Sequence, residues 1–241
     1  APGFIDLHSH SDLQVLESER TEKVLQGVTT EVVGNCGFSA FPQGGHAHEL
    51  CEFGGGILGR PGGWGWDSAS GYLEAVAAQA NNVRVQSLVG HGSLRVAVAG
   101  LRQGPLTVAE LDQLSGMLGD ALDAGCAGFS TGLMYAPGSS AGPDELRRLC
   151  RIVATKDKLY TTHMRSYAEG LVDAVREQIA LARATGCRLQ ISHLQAAGRA
   201  NWELQRRALD EIESARNDGI DIEFDIYPYQ CGSTVLTQWL P

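Results

Sequence analysis

The chain has 241 residues, 43% of them hydrophobic, and a net charge of −9 that is spread along its length. That is enough chain for one large domain with a full core. No basic stripe is available to meet phosphates and no apolar run reaches membrane-spanning length, so neither nucleic acid nor a membrane is an expected partner.

Nothing at the start resembles a signal peptide, and a cytoplasmic location is expected. The six cysteines, Cys36, Cys51, Cys126, Cys150, Cys187 and Cys231, include no Cys-x-x-Cys pair and read as free thiols. The chain starts without Met and stops at Pro241, just after a strand-like segment, which leads us to expect part of a larger enzyme.

Seven segments have strand character: 3–8, 29–35, 82–89, 126–131, 158–163, 187–193 and 220–227. The first, an apolar run from Phe4 to Leu7, reads as a short buried strand. Residues 42–67 are rich in glycine and read as a long irregular loop inserted after the second strand, followed by a helix near 68–79. Leu111, Leu114, Leu118 and Leu122 share one helical face, with Thr107 and Glu110 as a capping box before them. Leu146, Leu149 and Val153 mark a second such face. Leu171, Val175, Ile179 and Ala182 mark a third, stopped by Gly186, and Leu204, Ala208 and Ile212 a fourth, stopped by Gly219. This alternation predicts an α/β fold over residues 1–241, a (β/α)8 barrel of the TIM type that lacks its eighth strand. The rival, a doubly wound open sheet, would carry a glycine-rich phosphate turn after the first strand, where this chain has His-Ser-His-Ser-Asp.

In such barrels the site lies at the C-terminal ends of the strands. Those ends offer His8 and His10, Cys36, His91, His163 and His193, whereas His46 and His48 fall in the glycine-rich stretch and read as solvated. His8 and His10 are spaced i, i+2 and would project from one side of a strand end. Alone, each histidine is more simply a hydrogen-bonded core or rim residue. Together they point to a transition-metal site. Thiolate with imidazole favours Zn²⁺ over Mg²⁺ or Ca²⁺, and Cys36, His163 and His193 would leave a fourth position open, as catalytic sites do. His91, flanked by glycines, fits a supporting role as well as a ligand's.

Pro2-Gly3-Phe4-Ile5-Asp6-Leu7-His8-Ser9-His10 resembles the opening metal motif of the amidohydrolase superfamily. Other stretches resemble one branch of it, the N-acyl-D-amino-acid deacylases (D-aminoacylases). They are Gly27-Val28-Thr29-Thr30-Glu31-Val32-Val33-Gly34-Asn35-Cys36-Gly37, Gly128-Phe129-Ser130-Thr131-Gly132-Leu133-Met134-Tyr135-Ala136-Pro137-Gly138, Thr162-His163-Met164-Arg165-Ser166, Ile191-Ser192-His193 and Tyr227-Pro228-Tyr229. The cysteine is the most specific element, because most amidohydrolases use a carboxylated lysine of the fourth strand instead.

The resemblance implies a metal-dependent amide hydrolase with one tightly held zinc on Cys36, His163 and His193. It implies a second, weaker metal position on His8 and His10, a substrate-pocket tyrosine at Tyr135, and a tyrosine at Tyr229 bonding the substrate carbonyl. The family's general base and acid, an aspartate of the eighth strand, matches no residue here and is expected beyond Pro241; the flanking β-sandwich has no counterpart either. A chain of these residues alone is expected to be inactive. The family often has a lysine where this chain has Gln195. Arg165 is a candidate for binding a substrate carboxylate, with a structural salt bridge as the alternative. The rival functions are a cyclic-amide hydrolase of the dihydroorotase or hydantoinase type and a non-catalytic metal-binding relative. The partner expected is a small N-acyl amino acid, and the oligomeric state is left open.

Overall fold

In the computed structural model, residues 1–17, 20–59, 65–79 and 82–235 are described. Seven strands form one parallel sheet in strict sequence order: β1 (Phe4–Asp6), β2 (Val28–Val33), β3 (Arg84–Gly90), β4 (Gly128–Gly132), β5 (Leu159–His163), β6 (Arg188–Ile191) and β7 (Ile222–Phe224). The helices are α1 (Ala47–Gly54), α2 (Ala69–Ala77), α3 (His91–Ala99), α4 (Val108–Asp123), α5 (Pro143–Thr155), α6 (Leu171–Thr185) and α7 (Trp202–Asn217). From β3 to β7 every strand-to-strand connection carries at least one helix. The sheet curls through seven βα steps of a TIM-type barrel.

The helix faces explain themselves. Thr107 and Glu110 close a reciprocal capping box on α4, whose Leu114, Leu118 and Leu122 are buried. Burying each such leucine contributes about 1.5–3 kcal/mol. Pro143 opens α5 at the position where its missing N–H costs nothing, and Leu146, Leu149 and Val153 face the core. Gly186, at φ 74°, ends α6 in a left-handed cap.

Two expectations change. Part of the glycine-rich stretch is helical. α1 sits between glycines, buries Leu50 and brings Phe53 onto Phe38 with ring centroids 4.5 Å apart. The first strand is not buried either. β1 is an edge of the sheet, so Phe4, Ile5 and the neighbouring Leu7 are exposed.

Two further expectations fall outside the described residues. Residues 60–64 of the glycine-rich stretch do so. So does Pro241, beyond which the resemblance implies a catalytic aspartate.

Parallel register aligns the strand ends that matter. Gly132 pairs with His163, and Thr162 with Ile191. The ladder continues past the strands through Leu133 N–H to the His163 carbonyl (2.9 Å) and Ser192 N–H to the Thr162 carbonyl (2.9 Å). His163 and His193 therefore leave adjacent strands at the same level.

A candidate metal centre at the strand ends

The His-Ser-His segment is held through the serine between the two rings. Ser9 N–H donates to the Val32 carbonyl (3.1 Å), and its hydroxyl donates to buried Glu31 (3.2 Å). Its carbonyl accepts from the Asn35 side chain (3.4 Å). Glu31 is anchored in turn by Arg20 (3.0 Å). With the middle residue fastened to β2, its two neighbours are free to face the strand ends.

Cys36 follows β2 with φ 54°, a conformation non-glycine residues rarely take, and Gly37 follows at φ 80°. A side chain on Gly132 would run into the Cys36 carbonyl, so the end of β4 needs a glycine to let Cys36 come this close. His193 has φ 39°. Two strained residues among five candidate ligands fit a functional constraint on the backbone.

The side chains converge. Cys36 Sγ lies 3.3 Å from His8 Nε2 and 3.4 Å from His193 Nε2. His163 Nδ1 lies 3.1 Å from His193 Nε2. Two sets, His8–His10–Cys36 and Cys36–His163–His193, each bring their ligand atoms within 4.8 Å of one another, and Cys36 belongs to both. The structure thus assembles the five residues that the sequence singles out.

Electrostatics suit Cys36 to meet a cation. Burial alone would raise its thiol pKa, but the rings of His8, His10, His163 and His193 outweigh burial and bring it well below the ordinary value. Burial disfavours a charged His8, yet the Cys36 thiolate and the Asp225 carboxylate push it up to about 10. Burial pulls His163 down despite Cys36. A buried thiolate surrounded by imidazoles is a cluster whose charge a divalent cation would balance. His163 Nδ1 and His193 Nε2 are the ring nitrogens turned toward the cluster, and their opposite nitrogens, His163 Nε2 and His193 Nδ1, are buried without a hydrogen-bond partner.

Around the centre, Tyr135 is buried, with its ring 4.7 Å from that of His163 and its hydroxyl 3.0 Å from Thr234 Oγ1. Burial pushes its pKa up to about 12, so it is a neutral hydrogen-bond donor at any working pH. Phe38 covers His10 and Tyr135 at centroid distances of 6.4 and 5.0 Å. Tyr167 packs on His163 and His193 at 5.0 and 4.9 Å. Its hydroxyl accepts from Met164 N–H and donates to the Ser192 carbonyl, tying β5's end to β6's.

Three residues stand apart. Tyr229 is 76% exposed beyond β7, beside Tyr227, and is not brought to the histidines. Arg165 donates through Nε to both oxygens of Glu177 (2.9 and 3.1 Å), and through its terminal nitrogens to the carbonyls of Ser139 (2.9 Å) and Ala141 (2.6 Å). It thus fastens the turn that follows Tyr135. His91 is fully buried at the start of α3, bonded to Glu145 (2.7 Å), which also receives Arg95 at 2.9 Å on each oxygen. It is a packing and hydrogen-bonding residue, and neither candidate ligand set includes it.

Sequence reasoning misses Asp225. The sequence places it inside a strand reaching 227, but β7 ends at Phe224 and Asp225 is the first residue past it. Burial would raise its pKa, but His8, the His193 N–H and Gln190 hold it below the usual carboxylate value.

The amidohydrolase family model matches residues 1–228. N-acyl-D-glutamate deacylase of Alcaligenes xylosoxydans xylosoxydans is 40% identical over 240 residues, which is 98% of this chain and 48% of that protein. D-aminoacylase of the same organism is 36% identical over 239 residues, 99% of this chain and 49% of that protein. Among solved structures, N-acyl-D-glutamate deacylase of Bordetella bronchiseptica, complexed with zinc and a phosphonate mimic of the tetrahedral intermediate, superposes with a TM-score of 0.83. It is 38% identical, covering 95% of this chain and 48% of that one. The chain spans about half the length of the curated relatives it matches.

Proposed function

Since the chain belongs to the amidohydrolase family, we propose that it carries the metal centre of a zinc-dependent enzyme that hydrolyses the amide bond of N-acyl-D-amino acids, giving a carboxylate and a D-amino acid. The observation that carries this reading is the buried Cys36 sulfur shared by two candidate ligand sets at the strand ends. Its relatives' substrates supply the chemical class. The rival cyclic-amide reading calls for a lysine in the fourth strand, and β4, Gly128–Gly132, has none.

Cys36, His163 and His193 would hold the tight zinc, and His8 and His10 with Cys36 a second, weaker position. When bound, zinc supplies a Lewis acid for the acyl carbonyl and acidifies a water. The chain's own residues do the rest. Tyr135, beside His163 and capped by Phe38, walls the substrate pocket. Tyr229 is proposed to reach the acyl oxygen in the full-length protein. Arg165, with its guanidinium already on Glu177 and two carbonyls, holds the Tyr135 turn in place. The general acid and base is proposed to be an aspartate supplied from beyond Pro241.

The partner is a small N-acyl amino acid, the class its relatives' names give. None of the described helices is long and apolar enough to cross a membrane. A cytoplasmic location belongs to the same proposal.

Turnover of N-acetyl-D- against N-acetyl-L-amino acids by the zinc-supplied full-length protein tests the reading. D-selective hydrolysis is expected. Exclusive L-activity, or none, refutes it.

A further inference from the structure

One carboxylate touches both halves of the centre. Asp225 Oδ1 accepts from the backbone N–H of His193 at 2.6 Å, and Oδ2 accepts from Gln190 Nε2 at 3.2 Å. His8 Nδ1 stands 3.3 Å from each oxygen. The backbone of Asp225 is laced to the same neighbours: its N–H donates to the Ile191 carbonyl (3.0 Å), and its carbonyl accepts from Leu194 N–H (2.9 Å). Asp225 therefore cannot drift from β6 without breaking several bonds.

We infer that Asp225 is a positioning residue for the metal centre, fixing the His8 ring and the His193 backbone with a single carboxylate. This rests on the metal reading above. An ionised carboxylate only accepts hydrogen bonds, so His8 must carry a proton on Nδ1. The atom left to act as a ligand is then Nε2, which is the one facing Cys36. At His193 the same carboxylate holds a residue whose left-handed backbone conformation is strained. A short charge-assisted bond to its N–H offsets that strain. His8 belongs to one ligand set and His193 to the other, so Asp225 couples the geometry of the two positions.

Asp225→Asn is the discriminating variant because it nearly preserves shape. A carboxamide has one acceptor and one donor end, so in either orientation an NH2 group faces the His193 N–H or the His8 and Gln190 donors. The full-length protein should be loaded with zinc, with its histidine rings labelled with ¹⁵N and the His8 signals identified by their absence in His8→Ala.

Wild type should show His8 protonated at Nδ1. Asp225→Asn should lose or move that proton signal and bind zinc about 10- to 100-fold more weakly in competition with a chelator. A His8 signal and a zinc affinity both unchanged in Asp225→Asn would overturn the inference and leave the metal reading standing. Should Asp225→Asn not fold, the wild-type spectrum decides alone: a proton on Nε2 with Nδ1 bare overturns it. A wild type that takes up no zinc takes the metal reading and this inference down together.

Discussion

Cys36 Sγ stands 3.4 Å from His193 Nε2 and belongs to both ligand sets, so the thiolate is the joint of the whole centre. The two sets should therefore respond unequally to substitution. His10→Asn touches only one of them and should leave the tighter zinc in place. His163→Asn should weaken that tighter zinc. Zinc content after dialysis against a mild chelator separates the two; equal losses would contradict the division.

Gly132 lets Cys36 approach β4. A methyl group there would press on the Cys36 carbonyl and on the Tyr135 ring (2.8 Å from Cδ2). Gly132→Ala should lower zinc affinity although it adds no competing ligand and removes none. An unchanged affinity would show that the Cys36 backbone can yield.

Glu145 sets a pH dependence. Burial would raise its pKa, but His91 and Arg95 outweigh burial and hold it below its ordinary 4.5. A depressed carboxyl contributes stability that is present above 4.5 and lost as pH falls through the folded value. Burial also lowers the pKa of His91, so His91 must take up a proton on unfolding, which adds destabilisation in acid. Glu145→Gln should cost about 3–5 kcal/mol at neutral pH, because Arg95 is left buried without its partner. The loss should shrink as pH falls below 4.5. Thermal unfolding midpoints from pH 3 to 7 check this; a penalty constant across that range would be inconsistent with it.

Arg165→Met removes the ion pair to Glu177 and two hydrogen bonds to the turn after Tyr135. A loss of about 1–3 kcal/mol in stability is expected. If Arg165 acts through the turn, hydrolysis of N-acyl-D-amino acids and of N-acyl amines without a carboxylate should fall alike. A KM increase confined to carboxylate-bearing substrates would return Arg165 to direct recognition.

The central strands were readable because parallel strands buried on both faces, such as β4 and β5, appear as near-continuous runs with regular helical spacers. The candidate ligands were readable for a related reason: His163 and His193 each end such a run, and His8 and Cys36 follow one closely. α3 was not readable. Residues 91–97 are buried on every side, so the helix shows no polar face and no amphipathic period. α1 was hidden by the glycines that flank it. Asp225 is not legible in the sequence, because a carboxylate that orients another side chain leaves no spacing signature. Its role depends on β6 and β7 lying side by side.

Zinc content of the full-length Cys36→Ala protein tests the central claim most directly. The account predicts that the tight zinc is lost and that the protein still folds, since the thiol can be removed without opening the sheet. Zinc retained at wild-type stoichiometry and affinity would contradict it.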